Sequence, residues 1–530
     1  MASEIFSPVI LPFSGRIMPN RLIKVALYEH LSKIHGGPPN EYHMGLYTEW
    51  AKNDWGMIVT GNVQVSQDHL TLGRDIVVPT LINEETLAQF KKLPRIIHAE
   101  DSRQPSTRPL AVMQLSHVGR QSPNFIGGRS IHIPPLAPSP VRVGSNRCVQ
   151  SNDGSTFLEA QDAPHLSLRA LFQVPREMTL DDIKEVQQAF IRGALTALRA
   201  GFDGIQVHCA HGYLLAQFLN PKSNIRTDQY SAENALRMVR EIIDGIRDVV
   251  PRDFVVGIKI NSADYVSSGG KPSDETVLKD IQHALDHIRS IAQWGTIDFV
   301  EISGGDYESP DFMTTKATSP RQAFFADFAK EARDAMKLDA PADVIIPLVL
   351  LTGGLRSPAH LQTALDAGHA DILGIGRGSI LCPDLPSILR ERIAKATAGG
   401  TSIASDGEPF AHEPDADLKV PFWFPKVPLI GAGVSIAWYN VRMRRIAESQ
   451  MVKTADGEQS PAPPPTFEMS GVEAMVRMWV WMDWNKLKFQ AVSVAMLILA
   501  AVFVLCSLAG LRKLHTPWWH DVYCLFPLHS

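Results

Sequence analysis

Two stretches near the end of the first 400 residues decide the fold: Pro347-Leu-Val-Leu-Leu-Thr352-Gly353-Gly354 and Asp371-Ile-Leu-Gly-Ile375-Gly376-Arg377-Gly378. Each is a short apolar run that stops at glycines, the pattern of a strand buried on both faces and followed by a tight turn. Between them Ser357 caps a helix, with Pro358 in its first turn and Gly368 past its end. Upstream the same unit repeats. Strands are predicted at Leu22–Leu27, Gly56–Val65, Pro109–Leu115, Gly204–His208, Phe254–Ile260 and Asp298–Ile302, with helical spacing between most of them. The clearest helix starts at the N-cap Thr179, has Asp182 three residues on, and carries apolar residues at Ile183, Val186, Phe190, Ala194 and Ala197. Eight strand–helix units within residues 1–398 predict an α/β fold, a (β/α)8 TIM barrel, rather than an open doubly wound sheet. Ser116–Met178 is its largest insertion.

The chain has 530 residues, 45% of them hydrophobic, so it can bury a full-sized core. Its 51 basic and 56 acidic residues leave a net charge of −5, which argues against nucleic acid as the main partner. Cys148, Cys209, Cys382, Cys506 and Cys524 are scattered, with no Cys-x-x-Cys spacing, and read as reduced thiols rather than a disulfide framework or a metal module.

Beyond the barrel the composition changes. Residues 399–487 form an extension holding the apolar stretch Val427–Tyr439, basic Arg442, Arg444 and Arg445, and a proline-rich linker at Lys453–Thr466. Val427–Tyr439 is too short to cross a bilayer and is expected to pack on the barrel, or else to lie at a membrane surface beside Arg442–Arg445. Phe489–Leu511 is different: 23 residues without a charge, flanked by Lys486, Lys488, Arg512 and Lys513. A helix needs about 20 apolar residues to cross a bilayer, so residues 488–512 are predicted to be one transmembrane helix, followed by a short tail at 513–530. Met1–Pro12 lacks the pattern of a secretory signal, so the barrel is expected to be cytosolic and tethered to a lipid bilayer through residues 489–511.

A barrel places its working residues where strands end and βα loops begin. Gly353 and Gly354 after the seventh strand, and Gly376 and Arg377 after the eighth, suit an anion: glycine backbone amides approach it closely and the guanidinium pairs with it. The fourth strand ends in His208-Cys-Ala-His211-Gly-Tyr213. Two imidazoles can donate to one carbonyl oxygen, and a phenol can hand a proton to an adjacent carbon. A metal site would need a third ligand, which no spacing supplies. These parts lack an electron sink. A phosphorylated cofactor would provide one, and both FMN and pyridoxal phosphate fit at this point, although no Schiff-base lysine stands out from Lys24 and Lys259.

Gly201–Tyr230 (GFDGIQVHCAHGYLLAQFLNPKSNIRTDQY) resembles the old yellow enzyme family of FMN-dependent NAD(P)H oxidoreductases, in particular its fungal branch. So do Asn20-Arg21-Leu-Ile-Lys24, Gln114-Leu-Ser-His-Val-Gly-Arg-Gln121, Glu301-Ile-Ser-Gly-Gly305 and the two glycine turns, in order over residues 5–395. The resemblance implies FMN as cofactor, NAD(P)H as reductant and an α,β-unsaturated carbonyl compound as substrate, in a ping-pong reaction. It implies that His208 and His211 hold the carbonyl oxygen and that Tyr213 protonates the α-carbon. It places Val25, Ala26 and Gly61 against the flavin ring, Gln114 and Lys259 at its pyrimidine edge, and Gly353, Gly354, Gly376 and Arg377 at the FMN phosphate.

The sequence departs from that family in three places. Tyr28 stands where relatives usually have a threonine or cysteine bonded to the flavin O4. The turn after Arg226-Thr-Asp-Gln-Tyr230 is shortened. Residues beyond about 400 lie outside the common core. Without a Cys-x-x-Cys cluster after the barrel, the iron–sulfur branch is disfavoured. Other readings of the same residues are a flavin-binding scaffold without turnover and a lyase acting on a phosphorylated substrate without flavin.

Overall fold

The computed structural model describes residues 4–144, 148–150, 156–158, 171–262, 275–303, 320–338, 340–414, 418, 428–456 and 469–481. Eight parallel strands close on themselves: β1 (Leu22–Lys24), β2 (Met57–Gln64), β3 (Leu110–Ser116), β4 (Gly204–Cys209), β5 (Val255–Asn261), β6 (Phe299–Ser303), β7 (Leu348–Thr352) and β8 (Ile372–Ile375). Each pairs with its sequence neighbour, and β8 pairs with β1 through Gly374–Ile23. All eight strands fall within or next to their predicted ranges. The reason is general: strands buried on both faces are continuous apolar runs that stand out in a sequence.

A helix follows each strand: α1 (Glu41–Ala51), α2 (Glu84–Ile97), α3 (Leu180–Ala200), α4 (Arg237–Arg247), α5 (Glu275–Ala292), α6 (Pro320–Lys337), α7 (Pro358–Asp366) and α8 (Leu385–Ala398). The predicted cap of α3 closes in both directions. Thr179 Oγ accepts from the Asp182 amide at 3.1 Å, and Asp182 accepts from the Thr179 amide at 2.7 Å. Ser357 Oγ likewise accepts from the His360 amide at the start of α7.

The lower end of the barrel is filled by Ile23, Met57, Val59, Leu110, Val112, Val255, Phe299, Leu350 and Ile372. Val9, Leu11 and Met18 of an N-terminal hairpin (Val9–Ile10 with Ile17–Met18) pack against them. Gly257 makes room for the Phe299 ring, since a Cβ there would lie 2.2 Å from it. Toward the C-terminal ends of the strands the interior turns polar, and that end carries the site.

The chain divides into two units, Met1–Ala474 and Met475–Ser530; of the second, residues 475–481 are described. Within the first unit, α9 (Pro428–Asp456) continues the apolar stretch Val427–Tyr439 as one long helix that packs along α1. Lys453–Asp456 of the expected linker belong to this helix, and 457–466 lie outside the described residues. Val434, Ala437, Trp438, Val441, Met443, Ile446 and Ala447 are buried. Gly45 on α1 sits so close that a Cβ would come within 2.6 Å of the Ala447 carbonyl. Phe489–Leu511 also lies outside the described residues, and among those described no helix is long and apolar enough to cross a membrane.

Candidate active site

Strand register sets the site. Asn62 on β2 pairs with Gln114 on β3, and Gln114 pairs with Gln206 on β4. Further along, His208 pairs with Lys259 and Lys259 with Glu301. In parallel strands such register partners point to the same face. They form a polar floor across the barrel.

Glu301 is its hub. Its carboxylate lies 3.0 Å from Lys259 Nζ and accepts from Gln206 Nε2 at 2.7 Å and from Thr352 Oγ1 at 3.0 Å. All four are on neighbouring strands, so Glu301 is satisfied although fully buried.

His208, His211 and Tyr213 come together at the end of β4, His208 with His211 at 5.1 Å between ring centroids and with Tyr213 at 4.8 Å. The Ala210 amide donates to His208 Nδ1 at 3.2 Å, which assigns the ring proton to Nε2 and makes that nitrogen a donor. His211 has a left-handed backbone, φ 58°, held by Gln121 on its carbonyl and Asn261 on its amide; its Nε2 lies 2.9 Å from Ser303 Oγ. Burial, then the charge of Lys259, holds both imidazoles well below the usual histidine range, so both are neutral.

Tyr213 is buried. Asn62 Nδ2 donates to its hydroxyl at 3.3 Å, and Thr71 Oγ1 lies 3.5 Å from it. Gln114 Nε2 donates to Asn62 Oδ1 at 2.6 Å, fixing which end of the Asn62 amide faces Tyr213.

The remaining predicted residues are placed as follows. Val25 is buried in the barrel core with Ala26 against it. Gly61 sits at the irregularity in β2 between Val59 and Asn62, and its amide donates to Glu29 and Tyr47. Tyr28 directs its hydroxyl to His30 Nδ1 at 3.0 Å and toward the Leu72 and Arg74 amides. Gly353 and Gly354 have φ of 110° and 74°, with no other atom within 4 Å of a Cβ on Gly353. Arg377, next to Gly376, lies with its guanidinium 5.7 Å from the centre of the Tyr439 ring on α9. After the shortened turn, Ala232–Asn234 make a single 3-10 turn. The preceding loop is pinned by Arg226, paired with Asp228 and donating to the Pro138 and Met178 carbonyls.

Sequence reasoning missed Asn62 and Thr71 and quoted Glu301 and Ser303 only within a motif. A polar residue toward the C-terminal end of a buried strand is the signal that could have found Asn62 and Ser303.

The pattern of the NADH:flavin oxidoreductase / NADH oxidase family matches residues 4–396. The chain belongs to this family. Among its relatives, the NADH-dependent flavin oxidoreductase iliE of Neonectria sp. is 35% identical over 70% of this chain, and the chain spans 45% of that relative's length. The iliE of Hypocrea jecorina is 32% identical over 70% of this chain and 85% of its own. The iccE of Talaromyces variabilis is 30% identical over 82% of this chain and 96% of its own. Morphinone reductase shares the fold, with a TM-score of 0.54 and 24% identity over 76% of this chain and 91% of that chain.

As a member of the NADH:flavin oxidoreductase family the chain is an NAD(P)H:flavin oxidoreductase with FMN as cofactor. The site fits that group. Gln114 Oε1 is a buried acceptor with no partner among the described residues, suited to a ring N–H, and the turn at Gly353 leaves open space beside the backbone that an anion needs.

Proposed function

We propose that the enzyme reduces the activated C=C bond of α,β-unsaturated carbonyl compounds with NAD(P)H. The cluster of two neutral imidazoles and a buried phenol at the end of β4 carries this reading. His208 donates from Nε2 to the carbonyl oxygen, with His211 beside it as the second holder. Neutral donors stabilise charge developing on that oxygen without releasing a proton to it. Tyr213 gives its hydroxyl proton to the α-carbon, and Asn62 stabilises the phenolate left behind. The hydride chemistry that the side chains lack, from NAD(P)H to the β-carbon, would be supplied by FMN held in this site.

Gln114 and Lys259 serve the flavin pyrimidine edge, Val25, Ala26, Tyr28 and Gly61 line the ring's surroundings, and Gly353, Gly354, Gly376 and Arg377 take the phosphate. The test is a His208→Ala/His211→Ala variant, which should keep FMN and lose affinity for phenols and enones. Undiminished enone turnover in that variant would refute the role.

The domain scheme proposed with it is a catalytic barrel at 1–398, an extension at 399–487, a membrane helix at 488–512 and a tail at 513–530, with the barrel on the cytosolic side. Its support is the uncharged run Phe489–Leu511 between basic residues. Truncation at Pro464 should move activity from the membrane pellet to the supernatant; unchanged fractionation would remove the anchor.

A further inference from the structure

Behind Tyr213 the chain builds a second polar cluster. The end of β2 pairs with Ile76–Val77, through Val63–Ile76 and Gln64–Val77, so the segment after the strand folds back and sets Asp75 and Thr71 beside Gln64. Gln64 Nε2 donates to both Thr71 Oγ1 and Asp75 Oδ1, each at 3.0 Å. The Thr71 amide donates to Asp75 Oδ2 at 3.1 Å, so its hydroxyl and the carboxylate lie side by side and share the Gln64 amide as donor. Thr71 Oγ1 also lies 3.5 Å from the Tyr213 hydroxyl. Gln64, Thr71, Asp75 and Tyr213 are all buried, none more than 4% exposed.

The arrangement restricts the Thr71 hydroxyl. Gln64 occupies one lone pair of Oγ1, leaving the O–H two partners, Asp75 on one side and Tyr213 on the other. A hydroxyl that alternates between an acid and a base is the middle member of a proton relay. Asp75 suits the acid end: burial pushes its carboxyl up to about 6, so part of it holds a proton near neutrality. Among the titratable groups nearby, Tyr28, on the β1 side, feels the charge of Asp75, and Tyr213 stands across Thr71 from it. Among the described residues, no partner in the cluster is a cation. A permanently ionised carboxylate placed for structure alone is usually paired with one.

We propose that Asp75, acting through the hydroxyl of Thr71, returns a proton to Tyr213 after each turnover. The inference rests on the reading of Tyr213 as the proton donor. When Tyr213 protonates the α-carbon, its O–H bond breaks, a C–H bond forms and a phenolate remains. Thr71 gives its hydroxyl proton to that oxygen and takes the carboxyl proton of Asp75. Tyr213 and Thr71 end unchanged, and Asp75 ends as a carboxylate. Water supplies its next proton, and the two electrons of the reduction arrive with the hydride from NAD(P)H. Asp75 and Thr71 are thus positioning residues that act through Tyr213.

The test compares two acceptors in the full-length holoenzyme. Cyclohex-2-enone needs a proton on carbon, whereas ferricyanide takes electrons alone. In Thr71→Val and in Asp75→Asn the ratio of enone to ferricyanide turnover should fall about tenfold or more, within the range for a lost acid–base path. Thr71→Ser should restore it. A second readout is independent of turnover: an infrared carbonyl band of a protonated carboxyl should be present in the wild type and absent in Asp75→Asn. An unchanged ratio, or an equal loss with both acceptors, would overturn the relay. A wild type inert toward the enone would instead refute the enone reading; the infrared band then decides whether Asp75 holds the proton, and its absence overturns the relay.

Discussion

Asn62 Nδ2 donates to the Tyr213 hydroxyl at 3.3 Å, linking β2 to the phenol proposed as the proton donor. The direction is enforced, because Gln114 Nε2 takes the other end of the same amide. A donor to the phenol oxygen stabilises its ionised form, so it matters most as the proton leaves. Asn62→Leu should therefore lower enone turnover about tenfold, the scale of one hydrogen bond to a charged group. FMN content should stay near that of the wild type. Steady-state rates set against the flavin-to-protein absorbance ratio check both.

Lys259 and Glu301 form a buried pair at 3.0 Å, so replacing the cation strands an acid. Lys259→Met should destabilise the protein by about 3–5 kcal/mol, the usual cost of breaking a buried pair from one side. Gln206 and Thr352 still donate to Glu301 and place the loss at the low end of that range. Lys259→Arg keeps the charge and should keep most of the stability. Denaturant unfolding monitored by tryptophan fluorescence separates the two variants.

Acid should destabilise the fold through its histidines. Burial pushes His30, His43 and His117 down to about 3, while an unfolded chain protonates them near 6.5. Between those values the unfolded state binds more protons, so stability is full above about pH 6.5 and falls as pH drops toward 3. Each such histidine contributes a slope of about 1.4 kcal/mol per pH unit. Asp75 works the other way, because its raised carboxyl is protonated in the fold before it is in the unfolded chain. It offsets about one histidine between roughly pH 6 and 4. Melting temperature should fall steadily from pH 7 to pH 5, and a flat profile would contradict the assignment of neutral buried imidazoles.

Strands and the β4 cluster were legible in the sequence because their signals are local. An unbroken apolar run such as Leu348–Leu351 has few other uses, and a histidine pair at the end of a strand is conspicuous. What was not legible depends on the chain returning to itself. Thr71 and Asp75 lie in a loop with no motif, and only the pairing of Gln64 with Val77 brings them behind Tyr213. The amide of Gly61, expected at the flavin, is used by Glu29 and Tyr47, a contact between segments far apart in sequence. The Val427–Tyr439 stretch was expected to pack, but not to continue as a helix through Arg442–Arg445. Those cations are charged in sequence, yet Arg442 and Arg444 are buried in the fold.

The placement of Tyr439 over Arg377 gives the C-terminal extension a measurable consequence. A cation held against an aromatic face keeps its orientation, and the contact contributes about 0.5–2 kcal/mol, more when desolvated. Tyr439 is 4% exposed, and α9 is anchored on α1 through the close approach at Gly45 and the bonds of Gln450 to Glu49 and Lys52. If Arg377 takes the FMN phosphate, Tyr439→Leu should weaken FMN binding about three- to thirtyfold, the same energy expressed as affinity. Riboflavin, which has no phosphate, should bind the variant and the wild type alike. Tyr439→Phe keeps the ring and should behave as wild type. Fluorescence titration of flavin-free full-length protein with both ligands gives the comparison. An equal loss for FMN and riboflavin would show that Tyr439 supports the fold of this corner rather than the guanidinium, and Arg377→Ala sets the loss expected when the phosphate contact itself is gone.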